Sequence, residues 1–493
     1  MRFPLLVAAS QLAVAAVSAL SVSPSFENTN IVKTVELGGS AVHVITSYTA
    51  RSLSKNNGVY YVAIPRHQDS HTSWIEAKTK GASAPLTIEK HGIEALLATS
   101  EPVVYYSVNL PKPLGVNDTI SITVSSIESH AAYPLPAVAK QNEAQSLVYE
   151  TSSYIPSPYT TLTQKTKLKA PTPNIHSYSQ PSSLSRFTTD IPFTKSSATV
   201  TYGPFYDLPA SDSHSWAERN QEAVKVHYQY DGPVLTVAKL RRAAEISHWG
   251  ANLNVQDDIE LRNDAAKLDG YFSRLEHQRL SYYQNTKALN ILASFSIGLP
   301  AGARDVYFTD IVGNVSTSKF RPAPPKSKTR SGGGERFGTL DVRPRYPLMG
   351  GWNYTFTLGW DAPLEDSAKY DATTGEYIVA IPFFTPLPAA VVDDAEMKII
   401  LPEGATDIKL STPFSVDSVL RETHISYLDT KGRPALILSK KNLTDKHFMN
   451  VYVSYRVSSV AHLSKVTAVS TAFALLFTVM YFVRRVDTRL TSQ

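Results

Sequence analysis

The sequence predicts a mainly β protein, with sandwich-like domains followed by a single C-terminal transmembrane helix. Two observations carry this. Short runs rich in β-branched and aromatic residues recur along the chain, cut by thirty-one prolines and frequent Ser/Thr/Asn/Gly breaks. One run, Val466–Val483 (VTAVSTAFALLFTVMYFV), holds eighteen residues without a charge. At ~1.5 Å of rise per residue it spans ~27 Å, enough for a thin bilayer.

In chain order, Met1–Ala19 comes first, with basic Arg2, an apolar stretch from Leu5 to Val17, and small or apolar residues at Val17 and Ala19. That is the form of a cleaved secretory leader. Next come strand-like runs such as Val200–Tyr206, Lys225–Tyr230, Met397–Leu401 and Val451–Val457. Thr160–Lys195, rich in Ser, Thr, Pro and Lys, reads as a long loop. Tyr230-Asp231-Gly232-Pro233 is a turn between apolar runs and marks a domain boundary. Leu235–Lys287 contains AKLRRAAEI and DAAKLDGYFSRLEHQR, whose composition suits helix, although Ile246–Arg262 also alternates in part. Lys319–Arg345 is Pro-, Gly- and base-rich and reads as a flexible insertion outside the core. Lys465 precedes the span, and Arg484 and Arg485 follow it. The basic tail 484–493 is expected on the cytosolic side and the long N-terminal part across the membrane.

Composition narrows the function. The chain has no cysteine, which excludes disulfides, thiolate metal sites and a cysteine nucleophile. Its net charge of +5 gives no case for a nucleic-acid partner. His67 and His71 in HQDSH lack the intervening glutamate of a zinc-protease helix, and two histidines beside a turn is the plainer reading. Gly332-Gly333-Gly334-Glu335-Arg336-Phe337 has Phe where a dinucleotide loop needs its last Gly. No D-x-D pair is present to hold a divalent cation against a diphosphate. Asp257-Asp258 and Asp393-Asp394 are adjacent, so on a strand they diverge; they are expected to be solvated. No catalytic, metal or cofactor-binding residues are assigned.

Four sequons are glycosylation candidates: Asn314 first, then Asn442, Asn117 and Asn353. Gly313 promises an exposed turn at Asn314, whereas alternation in WNYTFTLGW threatens to bury Asn353. In the span, Ser470, Ala474 and Thr478 recur every four residues and form a small-residue stripe suited to helix packing.

Five segments in order carry a family resemblance. They are SHWGANLNVQDDIELRNDAAKLDGYFSR (Ser247–Arg274), ARDVYFTDIVGNVSTS (Ala303–Ser318), RPRYPLMGGW (Arg343–Trp352), KIILPEGATDI (Lys398–Ile408) and YLDTKGRPALILSKKNL (Tyr427–Leu443). Together they resemble ribophorin I, a subunit of the endoplasmic-reticulum oligosaccharyltransferase, in its short-tailed fungal-like form. The resemblance implies two consecutive luminal β-rich domains, 20–230 and 231–460, before the span at 466–483. It also implies strands rather than helix for Ile246–Arg262. In that family the subunit is non-catalytic, and a separate polytopic subunit holds the metal, the lipid-linked oligosaccharide and the acceptor asparagine. The implied partners are that catalytic subunit, other subunits of the complex, nascent polypeptides and the bilayer, in the endoplasmic-reticulum membrane. Animal members add a long cytosolic domain implicated in ribosome contact, so that role is not carried over. Residues alone leave a cell-surface adhesion or receptor ectodomain as the alternative.

Overall fold

The computed structural model describes residues 23–91, 103–188, 191–211, 223–283, 290–324, 336–426, 429 and 431–485. The expected leader and most of the tail lie outside them. Strands dominate, and among the described residues the one long apolar helix is Ser459–Arg485.

The same topology is traced twice. Phe26–Glu36 forms a hairpin with Ala41–Ser52 and runs parallel to Thr161–Lys169. Leu235–Ser247 likewise forms a hairpin with Asn252–Asn263 and runs parallel to Ala390–Ile400. Beyond the parallel partner lie Thr199–Leu208 and then Phe193–Ser196, matched by Arg433–Leu443 and then Ser418–His424. Beyond the hairpin partner lie Thr119–Ser129 and then Thr72–Thr79, matched by Asn353–Pro363 and then Arg304–Asp310. Two smaller sheets repeat as well. The sheet Asn57–Pro65, Val103–Leu114, Ile88–His91 corresponds to Phe295–Pro300, Phe337–Val342, Lys319–Arg321. The sheet Ile175–Tyr178, Ala223–Gln229, Ser146–Ser152, Ala132–Pro134 corresponds to Ala405–Ser411, Asn450–Val457, Glu376–Pro382, Ala368–Asp371. Nothing in residue spacing announced this repeat.

Period-two alternation builds each core. In Ala41–Ser52, Val42, Val44, Tyr48 and Ala50 face inward while His43, Ile45 and Ser47 face out. In the second repeat Leu240, Ala244, Ile246, Val255, Ile259, Phe356, Met397 and Val453 join one buried cluster. Each large aliphatic removed from water this way contributes about 1.5–3 kcal/mol.

Three sequence expectations are corrected. Ala238–Ile246, helical by composition, lies in the strand Leu235–Ser247, because its alternate residues Leu240, Ala244 and Ile246 are buried in a core cluster shared with Val379, Ile381 and Val453 of another sheet. Packing overrides the weak helix preference of Ala, Lys and Arg there. The strands expected for Ile246–Arg262 are present, and helix begins only at Arg274. Thr160–Lys195 is not a long loop: Thr161–Lys169 is an interior strand of a seven-stranded sheet, with Gln164, Thr166 and Leu168 turned inward. The Lys319–Arg345 insertion is not wholly outside the core either. Its strand Phe337–Val342 buries Leu340 and Val342, while 325–335 fall outside the described residues.

Candidate functional site

Among the described residues, no group of three or more His, Cys, Asp or Glu side chains could hold a metal ion. His67 and His71 lie on the short helix Arg66–His71, where His71 Nδ1 contacts the Ser129 carbonyl at 3.0 Å. The cleft bordered by Leu253, Phe337, Trp360, Phe448 and Met449 has Asp366 and Arg336 as its charged groups and no histidine to act as a base.

Charge is instead spent on the interior. The expectation of solvated aspartates fails at Asp257, which is fully buried and grips Arg242 through two 2.6 Å hydrogen bonds. Arg242 also donates to the Pro382 carbonyl at 2.7 Å and to Thr385, and its guanidinium lies 5.3 Å from the Trp360 ring. Asp258, the next residue, points to the exposed face and accepts from Thr357 at 2.7 Å. Asp393 and Asp394 diverge too, toward His130 and Arg241. The first repeat buries a cation on the corresponding strand. Lys33 Nζ donates to Thr151 Oγ1 at 2.9 Å, and Tyr149 donates to Glu128 at 2.9 Å. Burial pushes the Lys33 ammonium below its ordinary pKa and the Glu128 carboxyl above its own.

A polar seam joins the repeats, and no spacing signal could have found it. Val138–Ala139 pairs in parallel with Lys267–Leu268. Gln145, buried, donates to the Gly232 carbonyl at 3.2 Å and accepts from Ala266 N at 3.0 Å. Gln141 brackets Ser273, and Asn290 donates to the Glu143 carbonyl at 3.2 Å. His130 meets Asp393 at 2.6 Å, a hydrogen bond that raises the imidazole pKa. His447 is packed edge-on between Trp74 and Phe414, each with its ring centroid 5.0 Å away, and burial lowers its pKa to about 4.

The sequons separate by environment. Asn314 is exposed beside the Asp310–Gly313 turn, which Arg345 clamps with 2.7 and 2.9 Å bonds to Asp310. That pairing holds the Asp310 carboxyl down to about 2. Asn117 is exposed in a tight turn at φ 66°. Asn353 is also exposed: the alternation that threatened it buries Tyr354 and Phe356 instead. Asn442 is the occluded one. It sits at φ 56°, its side-chain oxygen accepts from Ser129 across the seam, and Leu443 and Thr444 beyond it are buried.

In the helix, Val466–Arg485 is long and apolar enough to cross a membrane, and none of that window is buried against the rest of the protein. Thr478 Oγ1 donates to the Ala474 carbonyl at 2.7 Å, so within the stripe its hydroxyl is satisfied by its own helix. Ser470 and Ala474 remain as the small surface.

The sequence profile of the Ribophorin I family matches residues 26–484, nearly the whole folded chain and the helix together. The chain belongs to the ribophorin I family. Relatives extend over the same length. A Caenorhabditis elegans protein named dolichyl-diphosphooligosaccharide–protein glycosyltransferase subunit 1 is 30% identical over 97% of this chain and 76% of its own. Subunit 1B of that glycosyltransferase from Arabidopsis thaliana is 29% identical over 94% of this chain and 93% of its own. Among solved structures, native leukotriene A4 hydrolase from Saccharomyces cerevisiae aligns with 44% of this chain and 31% of its own, at 8% identity and a TM-score of 0.24, too slight a likeness to bear on fold or function. Membership of the ribophorin I family leaves the adhesion or receptor alternative without support.

Proposed function

We propose that this chain is the non-catalytic, structural and substrate-positioning subunit 1 of an oligosaccharyltransferase, which transfers a preassembled oligosaccharide from a dolichyl diphosphate to Asn in Asn-x-Ser/Thr. The observation that carries the reading is family membership across both repeats and the helix, with relatives named as subunit 1 at about 30% identity. The charged groups described above serve folding: the Arg242–Asp257 pair is sealed from solvent, and the seam links repeat to repeat. The two repeats, 20–230 and 231–460 as domains, stand on the luminal side of the endoplasmic-reticulum membrane. There they stiffen the assembly beside a polytopic catalytic subunit and steer nascent polypeptide, while the span holds them in the bilayer.

Affinity purification in mild detergent tests this. The chain is expected to bring down a polytopic subunit with transferase activity, and to transfer nothing by itself to a sequon peptide. Transfer by the purified single chain would overturn the non-catalytic assignment, and purification without any other subunit would overturn the structural one.

A further inference from the structure

The His-Trp-Gly tip of the hairpin between Leu235–Ser247 and Asn252–Asn263 plays no part in the reading above. Trp249 at that tip is 62% exposed, an unusual place for so large an apolar ring. The tip itself is rigid. His248 Nε2 meets the Tyr455 hydroxyl at 2.8 Å, Gly250 N donates to Ser247 Oγ at 3.0 Å, and Leu364 N donates to the Ala251 carbonyl at 2.9 Å. Trp249 is therefore held out, on a firm base, into whatever lies below.

The helix starts beside it. Trp249 shares a small cleft with Pro402, Glu403 and Ala461, and Ala461 lies in the first turn of Ser459–Arg485. The approach is close: a Cβ on Gly404 would fall 2.6 Å from Ala461 Cβ. The first turn is thus packed against the floor of the second repeat. The apolar window opens at Val466, little more than one turn further on. That separation is ~7.5 Å at ~1.5 Å per residue. The headgroup layer of one leaflet is ~5–7.5 Å deep, from ~40–45 Å of bilayer around a ~30 Å hydrocarbon core. Ala461 lies one such depth before the window, and Trp249 lines the same cleft as Ala461. An indole suits that layer, since the ring prefers the acyl boundary and the N–H finds water or a headgroup oxygen. Val460 and Leu463, 79% and 57% exposed, extend the same apolar level along the helix.

We propose that Trp249 is a membrane-interface anchor. The hairpin tip enters the phospholipid headgroup layer beside the point where the helix enters it. Two attachments a short distance apart fix the tilt of the repeats over the bilayer, which the single span leaves free to swivel. The proposal rests on the helix being a span and not on membership of a complex, so either can fail alone.

The chain has no cysteine, which makes single-site labelling clean. Full-length chain carrying Trp249→Cys or Ile311→Cys is labelled with an environment-sensitive fluorophore and placed in phosphatidylcholine nanodiscs with headgroup spin-labelled lipid. Ile311 is 90% exposed, and the strand before it runs ~20 Å away from the tip. Expected are a blue shift and loss of emission at position 249, with neither at 311. A second measurement avoids the label: brominated phosphatidylcholine quenches the wild-type tryptophan emission, and Trp249→Phe removes that part of the quenching. Equal emission at both labelled sites, or bromolipid quenching unchanged by Trp249→Phe, overturns the proposal. A blue shift at 249 that appears only in the assembled complex overturns it in favour of a protein partner.

Discussion

At the scale of residues, burial decides what a charge is for. Arg242 and Asp257 satisfy each other inside the second repeat, with Thr385 closing the network at 2.9 Å from Asp257. Removing one member strands the other in a medium that cannot solvate it, a cost of about 3–5 kcal/mol. Arg242→Met is expected to lower the chemical-denaturation stability by about that amount, and adding Asp257→Leu to recover most of it, since two apolar groups leave no stranded charge. Spacing could show that Asp257 and Asp258 diverge on a strand; it could not show which face meets Arg242. The sequons follow the same logic. Asn314 stands free in a clamped turn, so peptide mapping after glycosidase treatment is expected to find it modified. Asn442 is held to Ser129, and its Thr444 is buried, so a glycan there would keep the repeats apart. Folded protein is expected to carry Asn442 unmodified.

At the scale of elements, alternation was legible and propensity was misleading. Lys225–Tyr230, Met397–Leu401 and Val451–Val457 all fall in or against strands, because a half-buried strand imposes period two on its own residues. Ala238–Ile246 deceived because its small and long-chain residues favour helix until two neighbouring strands pair with it and the core cluster buries every second residue. Thr161–Lys169 deceived because Thr and Gln look like loop, yet its Thr166 hydroxyl finds the Ser153 carbonyl at 3.2 Å inside. The span makes its own prediction. Ser470→Leu with Ala474→Leu raises apolarity and fills the small stripe, so membrane insertion should persist while retention in the complex falls, read by co-purification after detergent extraction. Undiminished retention would move the docking face elsewhere on the helix.

At the scale of the whole molecule, polar groups staple the two repeats to each other. The seam carries two histidines of opposite sign. His130 has a raised pKa, so its bond to Asp393 contributes fully below ~6.5 and is lost as pH rises through the higher folded value. His447 is held neutral down to about 4, while an unfolded imidazole binds its proton from ~6.5 downward. Stability therefore falls as pH drops from ~6.5 toward 4, by about 3 kcal/mol at most. Thermal unfolding across that range should show the fall in wild-type protein and a much flatter profile in His447→Gln. An unchanged slope in the variant would assign the acid sensitivity to other groups.

What the sequence determined by itself were the features a single stretch of chain can encode. A run of apolar residues long enough for a bilayer is an apolar helix wherever the rest folds, and alternation announces a strand because successive side chains face opposite ways. Ordered motifs such as HWG and RPRYPLMGGW also sufficed to point to the family. Tertiary structure alone decided the rest: the repeated topology, the burial of Asp257, the occlusion of Asn442 and the seam at Gln145. Each depends on residues far apart in the chain meeting across sheets, and neither composition nor period contains the partner.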